Sequence, residues 1–254
     1  MGRFFRLIFL GAAAGALVYL FWLPDVGELK NHNPRRTALM DLREAQAAAA
    51  GHRTHPVLLW RPLEQISPHL IHAVLVSEDD TFFQHSGFDL EQIRIAILRD
   101  WEKKRFVYGG STLTQQLART LYLSPRKNLL RKAKEAILTI VLEHTLSKRR
   151  ILELYLNVVE WGRGTYGAEA AAQHYFQIPA KDLSPDQAVA LASILPSPRR
   201  WSPLSERSFM ARRRLQLTER MQQSGYWPVS VDTTTNVPIN GEELLVPDAI
   251  PPQP

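Results

Sequence analysis

The sequence predicts a mainly α-helical fold, and three observations carry that expectation. Apolar residues recur at three- and four-residue intervals from Ile66 to the neighbourhood of Gln223, the period of a helix with one buried face. Cap signals punctuate the pattern, with Ser67 ahead of Pro68 and a Gly-Gly pair ahead of Ser111 and Thr112. Runs that alternate apolar and polar residues are scarce, which leaves little room for half-buried strands. With 254 residues, 45% of them hydrophobic, the chain can bury one sizeable core with a lobe or an anchor added.

Residues 7–23, LIFLGAAAGALVYLFWL, carry no charge and follow Arg3 and Arg6. As a helix this run is ~25 Å long, sufficient to span hydrocarbon. The arginines mark its cytoplasmic end, and Tyr19 and Trp22 suit the far interface. Residues 1–23 are therefore expected to form a cytoplasmic stub and one transmembrane helix. A cleaved signal peptide is the alternative, but the exit YLFWLPD lacks the small-residue pattern of a cleavage site. Gly11 and Gly15 have the GxxxG spacing that permits close helix pairing, which in so alanine-rich a span reads as incidental.

Residues 24–56 turn polar, with Asn31, Asn33, Pro34, Arg35 and Arg36, and read as a linker holding one short helix that ends at Gly51. The main domain is expected over residues 57–225. Its first long helix starts with Ser67 as N-cap and Pro68 at the first helical position. Further helices are expected over residues 89–101, 111–121, 129–146, 148–157, 167–176, 185–195 and 206–223. The proline-rich segment 226–254 is expected to be a frayed tail.

The absence of cysteine excludes disulfides and thiolate metal sites. Thirty-one Lys and Arg against 25 Asp and Glu give a net charge of +6, which favours an anionic partner. For a domain expected on the outer side of a membrane, lipids and phosphates fit that charge better than nucleic acid.

Three stretches concentrate chemistry. In SEDDTFFQHSGFD, residues 77–89, Glu78 falls near a helix C-terminus, where the macrodipole and the charges of Asp79 and Asp80 oppose its ionised form. Backed by aromatic residues, such a carboxylate is a competent general base; a plain acidic C-cap above core phenylalanines is the other reading. In YGGSTLTQQLARTLYL, residues 108–123, Gly109 and Gly110 allow close backbone approach and Ser111 or Thr112 caps a helix whose free amides suit anions or hydroxyls. Gln115 and Gln116 offer donors and acceptors for sugar groups, and Arg119 lies one turn beyond. In the helix from residue 129, Glu135 lies on the line of Leu138 and Leu142 toward the packed side, so it must be paired or face a cleft. Arg131, Lys132 and Lys134 surround it with positive charge, which reads either as a phosphate site or as a solvated ion-paired face. A fourth stretch, DWEKKRFVYGG at residues 100–110, mixes Lys103, Lys104 and Arg105 with Trp101, Phe106 and Tyr108, a composition that suits a lipid headgroup surface.

SEDDTFFQHSGFD, GGSTLTQQLARTLYL, RKAKEA, KRRILELYLN and GRGTYGAEAAAQHYF together resemble, in order and spacing, the motifs of the peptidoglycan glycosyltransferase family, in particular its monofunctional form. The resemblance covers residues 63–203. It implies a lysozyme-like helical domain with a smaller membrane-proximal lobe, held at the bacterial inner membrane by a single span with its catalytic part in the periplasm. The implied activity polymerises lipid II into glycan strands, with membrane lipids and other cell-wall synthesis proteins as candidate partners. Carried over by position, Glu78 is the implied base for the acceptor 4-hydroxyl and Glu135 the second essential carboxylate. Asp79, His85, Ser111, Thr112, Gln115 and Gln116 would line the cleft, while Arg131 and Lys132 would lie near the pyrophosphate. Arg119 and Thr120 depart from the family's usual lysine and asparagine, which changes phosphate geometry at that point.

Glycosyl transfer from a lipid pyrophosphate needs charge neutralisation at the leaving group and a base for the attacking hydroxyl, and Glu78 with the cations supplies that set. A single displacement would invert an α-linked donor into a β-1,4-linked polymer. A divalent cation, magnesium or manganese, could assist, although no ligand cluster announces one. The rival readings are a lysozyme-like hydrolase, which needs a neutral acid for a poor leaving group, and a non-catalytic scaffold, which leaves Glu78 and Glu135 unexplained.

Overall fold

A computed structural model describes residues 2–52, 56, 58–103, 110–124 and 128–225, with the side chains of 2–5, 7, 8, 12, 13 and 99–103 outside that description. The helices in chain order are α1 (Gly2–Phe21), α2 (Ala38–Ala49), α3 (Pro68–Glu78), α4 (Leu90–Lys103), α5 (Leu113–Tyr122), α6 (Leu129–Thr145), α7 (Lys148–Val158), α8 (Ala168–Phe176), α9 (Pro185–Ile194) and α10 (Ser208–Gln223). Strands β1 (Glu160–Gly162) and β2 (Thr165–Tyr166) form one antiparallel hairpin between α7 and α8. The mainly helical reading holds, and the expected helices from α3 onward agree with the observed ones to within two residues at most ends.

The core is built around α3, α5 and α9. Seven successive residues of α9, Ala188 to Ile194, are buried, and the small Ala188, Ala190 and Ala192 let α3 pack closely on it. α5 lies between α6 and α7, burying Leu113, Leu117 and Leu121 at the helical three-to-four spacing. Ser67 stands at the N-cap position of α3, but its hydroxyl donates to the Leu183 carbonyl at 2.8 Å instead of capping. It therefore ties α3 to the segment before α9.

Within the expected linker, residues 24–52 are docked on the domain. Val26, Leu29, Thr37 and Met40 are all buried, and α2 packs against α5. Arg150 of α7 pins the segment, donating to the carbonyls of Leu29 at 2.8 Å and His32 at 3.0 Å and to Asn33 Oδ1 at 2.8 Å. The polar composition that suggested a linker belongs to residues that coat this strap, while its few apolar side chains face inward.

Among the described residues no helix is long and apolar enough to cross a membrane, so the expected span gains no support from the fold. α1 packs against α6, where Lys134 donates to the carbonyls of Tyr19 at 2.7 Å and Trp22 at 3.0 Å. A cation at the carbonyl end of a helix also meets its dipole favourably. Lys134 is thus engaged with α1 and is not one of the cations available to a phosphate. The basic-aromatic stretch 100–110 and the tail 226–254 lie outside the described residues, apart from the backbone of residues 100–103 and from Gly110.

The loop between α3 and α4 is closed by internal bonds: Thr81 Oγ1 donates to Asp89 Oδ2 at 2.5 Å, and Asp89 Oδ1 accepts from the Gln92 amide at 2.8 Å. Within it Gly87 has φ +89°, and a Cβ there would stand 2.7 Å from Thr139 Cγ2 of α6. Gly164 in the hairpin has φ +75° with nothing within 4 Å. Gly164→Ala is therefore expected to cost only the left-handed strain, about 1 kcal/mol, whereas Gly87→Ala adds a steric conflict and is expected to cost about 3 kcal/mol or more. Paired urea melts test this, and equal midpoints for the two variants would contradict the packing of the loop on α6.

Burial, helped by the neighbouring charge of His69, pushes His72 of α3 down to about 4 from the ordinary 6.5. The unfolded chain then takes up a proton near pH 6.5 that the folded chain accepts only near pH 4, so stability is lost as pH falls through that window. His72→Gln is expected to flatten the stability curve there by up to one proton's slope, and an unchanged curve would refute the assignment.

Candidate active site

The acidic triplet at the end of α3 diverges. Asp79 is the C-cap of α3 and is buried; its Oδ2 accepts the Leu113 amide at 2.9 Å, and its Oδ1 accepts from His85 Nε2 at 2.8 Å. Asp80 points outward toward Arg220 of α10, at 3.4 Å. All three acids border the groove, and Glu78 is the one that meets α5 through a side-chain amide. It is half-buried, its Oε1 accepting from Ser77 Oγ at 3.1 Å and its Oε2 from Gln116 Nε2 at 3.0 Å.

His85 Nδ1 accepts the Gly87 amide at 3.2 Å, which leaves the proton on Nε2, facing Asp79. Asp79 lines the groove as expected while its oxygens are engaged by His85 and the first turn of α5, and His85 is not among the residues that line it. Both act on the site by holding it.

The second expected constellation divides in the same way. Thr112 caps α5, accepting the Gln115 amide at 3.3 Å and donating to the Gly87 carbonyl at 2.7 Å. Gln115 returns the bond, its Oε1 accepting the Thr112 amide at 3.1 Å, which completes a capping box. Gln115 is buried and is a structural residue, not a sugar ligand. The next position, Gln116, is half-buried and turns instead to Glu78. A cavity of about 220 Å³ opens beside Glu78, lined also by Asp79, Asp80, Ser111, Thr112 and Arg220 among others.

Tyr155 of α7 was not singled out from the sequence, where it reads as one more residue of a packed face. Its hydroxyl, inside the core, donates to Gln116 Oε1 at 3.1 Å. Burial, with the charges of Glu78 and Asp79 and against that of Arg119, holds this phenol well above its usual range, so it stays a donor. Gln116 must then present its NH2 group to Glu78. Tyr155, Gln116 and Glu78 thus form one oriented chain.

The third constellation lies on α6. Glu135 has 0% exposure and receives Arg131 Nη1 at 2.6 Å and the Lys132 ammonium. Burial alone would push its carboxyl up, but the bonds from Lys132 and Arg131 and the charges of Lys132 and Arg119 hold it below the usual carboxylate range. Three cations thus surround one carboxylate. Arg131 Nε is buried without a hydrogen-bond partner, and the Arg119 guanidinium, half-buried on α5, has no bonded partner among the described residues. α5 thereby carries the link between the constellations, with Gln116 on Glu78 and Arg119 within electrostatic reach of both Tyr155 and Glu135. Among the described residues no group of three or more His, Asp or Glu side chains is placed to hold a metal ion.

Residues 45–222 match the family described as Transglycosylase. Similar proteins include the biosynthetic peptidoglycan transglycosylase of Alcanivorax borkumensis, 44% identical over 99% of this chain and 93% of the relative. Those of Azoarcus sp. and Dechloromonas aromatica are 47% and 44% identical, over 79% and 78% of this chain and 85% and 87% of theirs. Both comparisons run across the groove, its capped helix and the cationic cluster, and on them the chain belongs to the transglycosylase family.

Proposed function

We propose that this transglycosylase extends peptidoglycan by joining lipid II units, with Glu78 as the base and the α6 cluster as the binding site for the lipid-linked pyrophosphate. The observation that carries the reading is the oriented chain from Tyr155 through Gln116 to Glu78. It leaves a carboxylate fixed in direction at the edge of a groove and bonded to Gln116, which lies one helical turn before Arg119 on α5, a guanidinium with no bonded partner among the described residues.

The acceptor's 4-hydroxyl oxygen attacks the anomeric carbon of the donor as Glu78 takes its proton. The new C–O bond forms on the face opposite the departing pyrophosphate, so an α-linked donor gives a β-1,4 linkage. The bond electrons leave with the pyrophosphate. It departs as an anion already weakly basic, and the fixed charges of Arg119, Arg131 and Lys132 stabilise it without a proton. Glu135 orders the two α6 cations and stays ionised. Ser111 and the cap of α5 border the sugar side of the groove.

We further infer that residues 7–23 anchor the protein at the bacterial inner membrane, with the catalytic domain in the periplasm. The uncharged run after Arg3 and Arg6 supports this, as do the exposed Phe9, Leu10, Leu17, Val18, Phe21 and Trp22, which water would not favour.

Glu78→Gln keeps the shape of the side chain and its contact with Gln116 while removing the base. It is expected to lower lipid II polymerisation by ~10² to 10⁴-fold with an unchanged melting midpoint. Polymerisation within a few-fold of the parent would overturn the reading.

Tyr155→Phe frees Gln116 to rotate. It is expected to lower kcat by roughly tenfold, the equivalent of about one charge-assisted hydrogen bond, with little change in KM. Combined with Gln116→Leu it should add almost nothing further, because both changes break the same chain; strictly additive losses would show that the two residues act separately.

A further inference from the structure

A second cavity, of about 470 Å³, lies between α2 and the β1–β2 hairpin, in the size range of small-molecule sites, ~300–1,000 Å³. Its polar end is formed by Arg43, Arg163, Arg199 and Glu160, and its apolar side by Ala47, Ala50 and Pro56. None of these belongs to the groove at Glu78.

The charges at the polar end do not balance. Glu160 is buried, its Oε2 accepting Arg43 Nε at 3.2 Å, while its Oε1 stands 3.7 Å from Arg199 Nε. Burial lifts the Glu160 carboxyl above its usual range although all three arginines oppose the shift. Glu44, the other acid on the rim, is bonded to Arg36. Three guanidinium groups therefore share one buried carboxylate. The Arg199 Nε is buried and has no hydrogen-bond partner, a condition interiors seldom leave unanswered. Arg163 is exposed and has no bonded partner among the described residues.

Guanidinium forks match the two oxygens of a carboxylate. A bare inorganic anion would use the polar end and leave the apolar wall of Ala47, Ala50 and Pro56 empty. A peptide's last residue uses both, with its carboxylate on the arginines and its side chain along the wall. We propose that this cavity is a binding site for the free carboxylate end of a short peptide. A peptidoglycan is a glycan that carries peptides, so the enzyme's own product is the source; that part rests on the function proposed above. Occupancy would hold the growing strand by its peptides, away from the groove where bonds are made.

The test uses the full chain in detergent micelles and isothermal titration with N-acetyl-dialanine, its C-terminal amide and inorganic phosphate. The free acid is expected to bind at least ~10-fold more tightly than the amide, and Arg163→Ala or Arg199→Lys to weaken it by a similar ~10-fold factor. Arg163 is exposed, so its replacement leaves folding intact. Equal binding of acid and amide, binding indifferent to both arginine variants, or tighter binding of phosphate would each overturn the site. Binding that persists in Glu78→Gln separates this site from the catalytic reading, so that either can fail alone. Glycan strands bearing peptides should then displace the acid while peptide-stripped strands do not; displacement by both alike would overturn the product as the source.

Discussion

The carboxylate of Asp79 sits where three segments meet, and the placement of α5 depends on it. One oxygen takes the first free amide of α5 and the other takes His85 from the following loop. A helix start buried without such a partner would leave backbone donors unsatisfied. The same loop is fastened to the helix a second time through Thr112 and the Gly87 carbonyl. α5 in turn carries Gln116, which fixes the direction of Glu78, and Arg119, whose charge reaches Tyr155 and Glu135. The acid beside the proposed base thus contributes geometry and leaves the chemistry to its neighbour.

That division explains how much could be read from the sequence. Helical periodicity and the Ser-Pro and Gly-Gly-Ser-Thr signals located nearly every helix of the main domain, because those signals are local. The burial of Glu135 followed from its position on the line of Leu138 and Leu142, and the structure agrees. What could not be read is which member of a polar cluster turns inward. Gln115 and Gln116 are adjacent and identical in type, yet one closes a capping box and the other meets a carboxylate 38 positions away. The choice is set by the cap geometry of one residue, Thr112, and by a tyrosine on another helix, and neither is visible in spacing.

Several of the recurring stretches serve the scaffold. Asn157 donates to the Arg61 carbonyl and accepts its amide, both at 2.8 Å, which staples the chain ahead of α3 to the end of α7. Glu169 receives the Ala180 amide at 2.9 Å and Arg61 at 3.1 Å. Gly167, with φ +82°, lies so close to the Asn157 carbonyl that a Cβ would stand 2.5 Å from its oxygen. The docking of residues 24–52 is hidden in the sequence for a related reason. Their polar surface is conspicuous in a sequence, whereas the packing of α2 on α5 and the Arg150 bonds that dock them depend on residues distant along the chain.

Lys134 has a neighbour that gives its position a mechanical meaning. Its ammonium grips the last turn of α1, and the next residue along α6 is the buried Glu135 with its two cations. α1 is therefore no slack tether. The amino-terminal helix and the ionised cluster thus rest on the same turn of α6, on adjacent residues of one support.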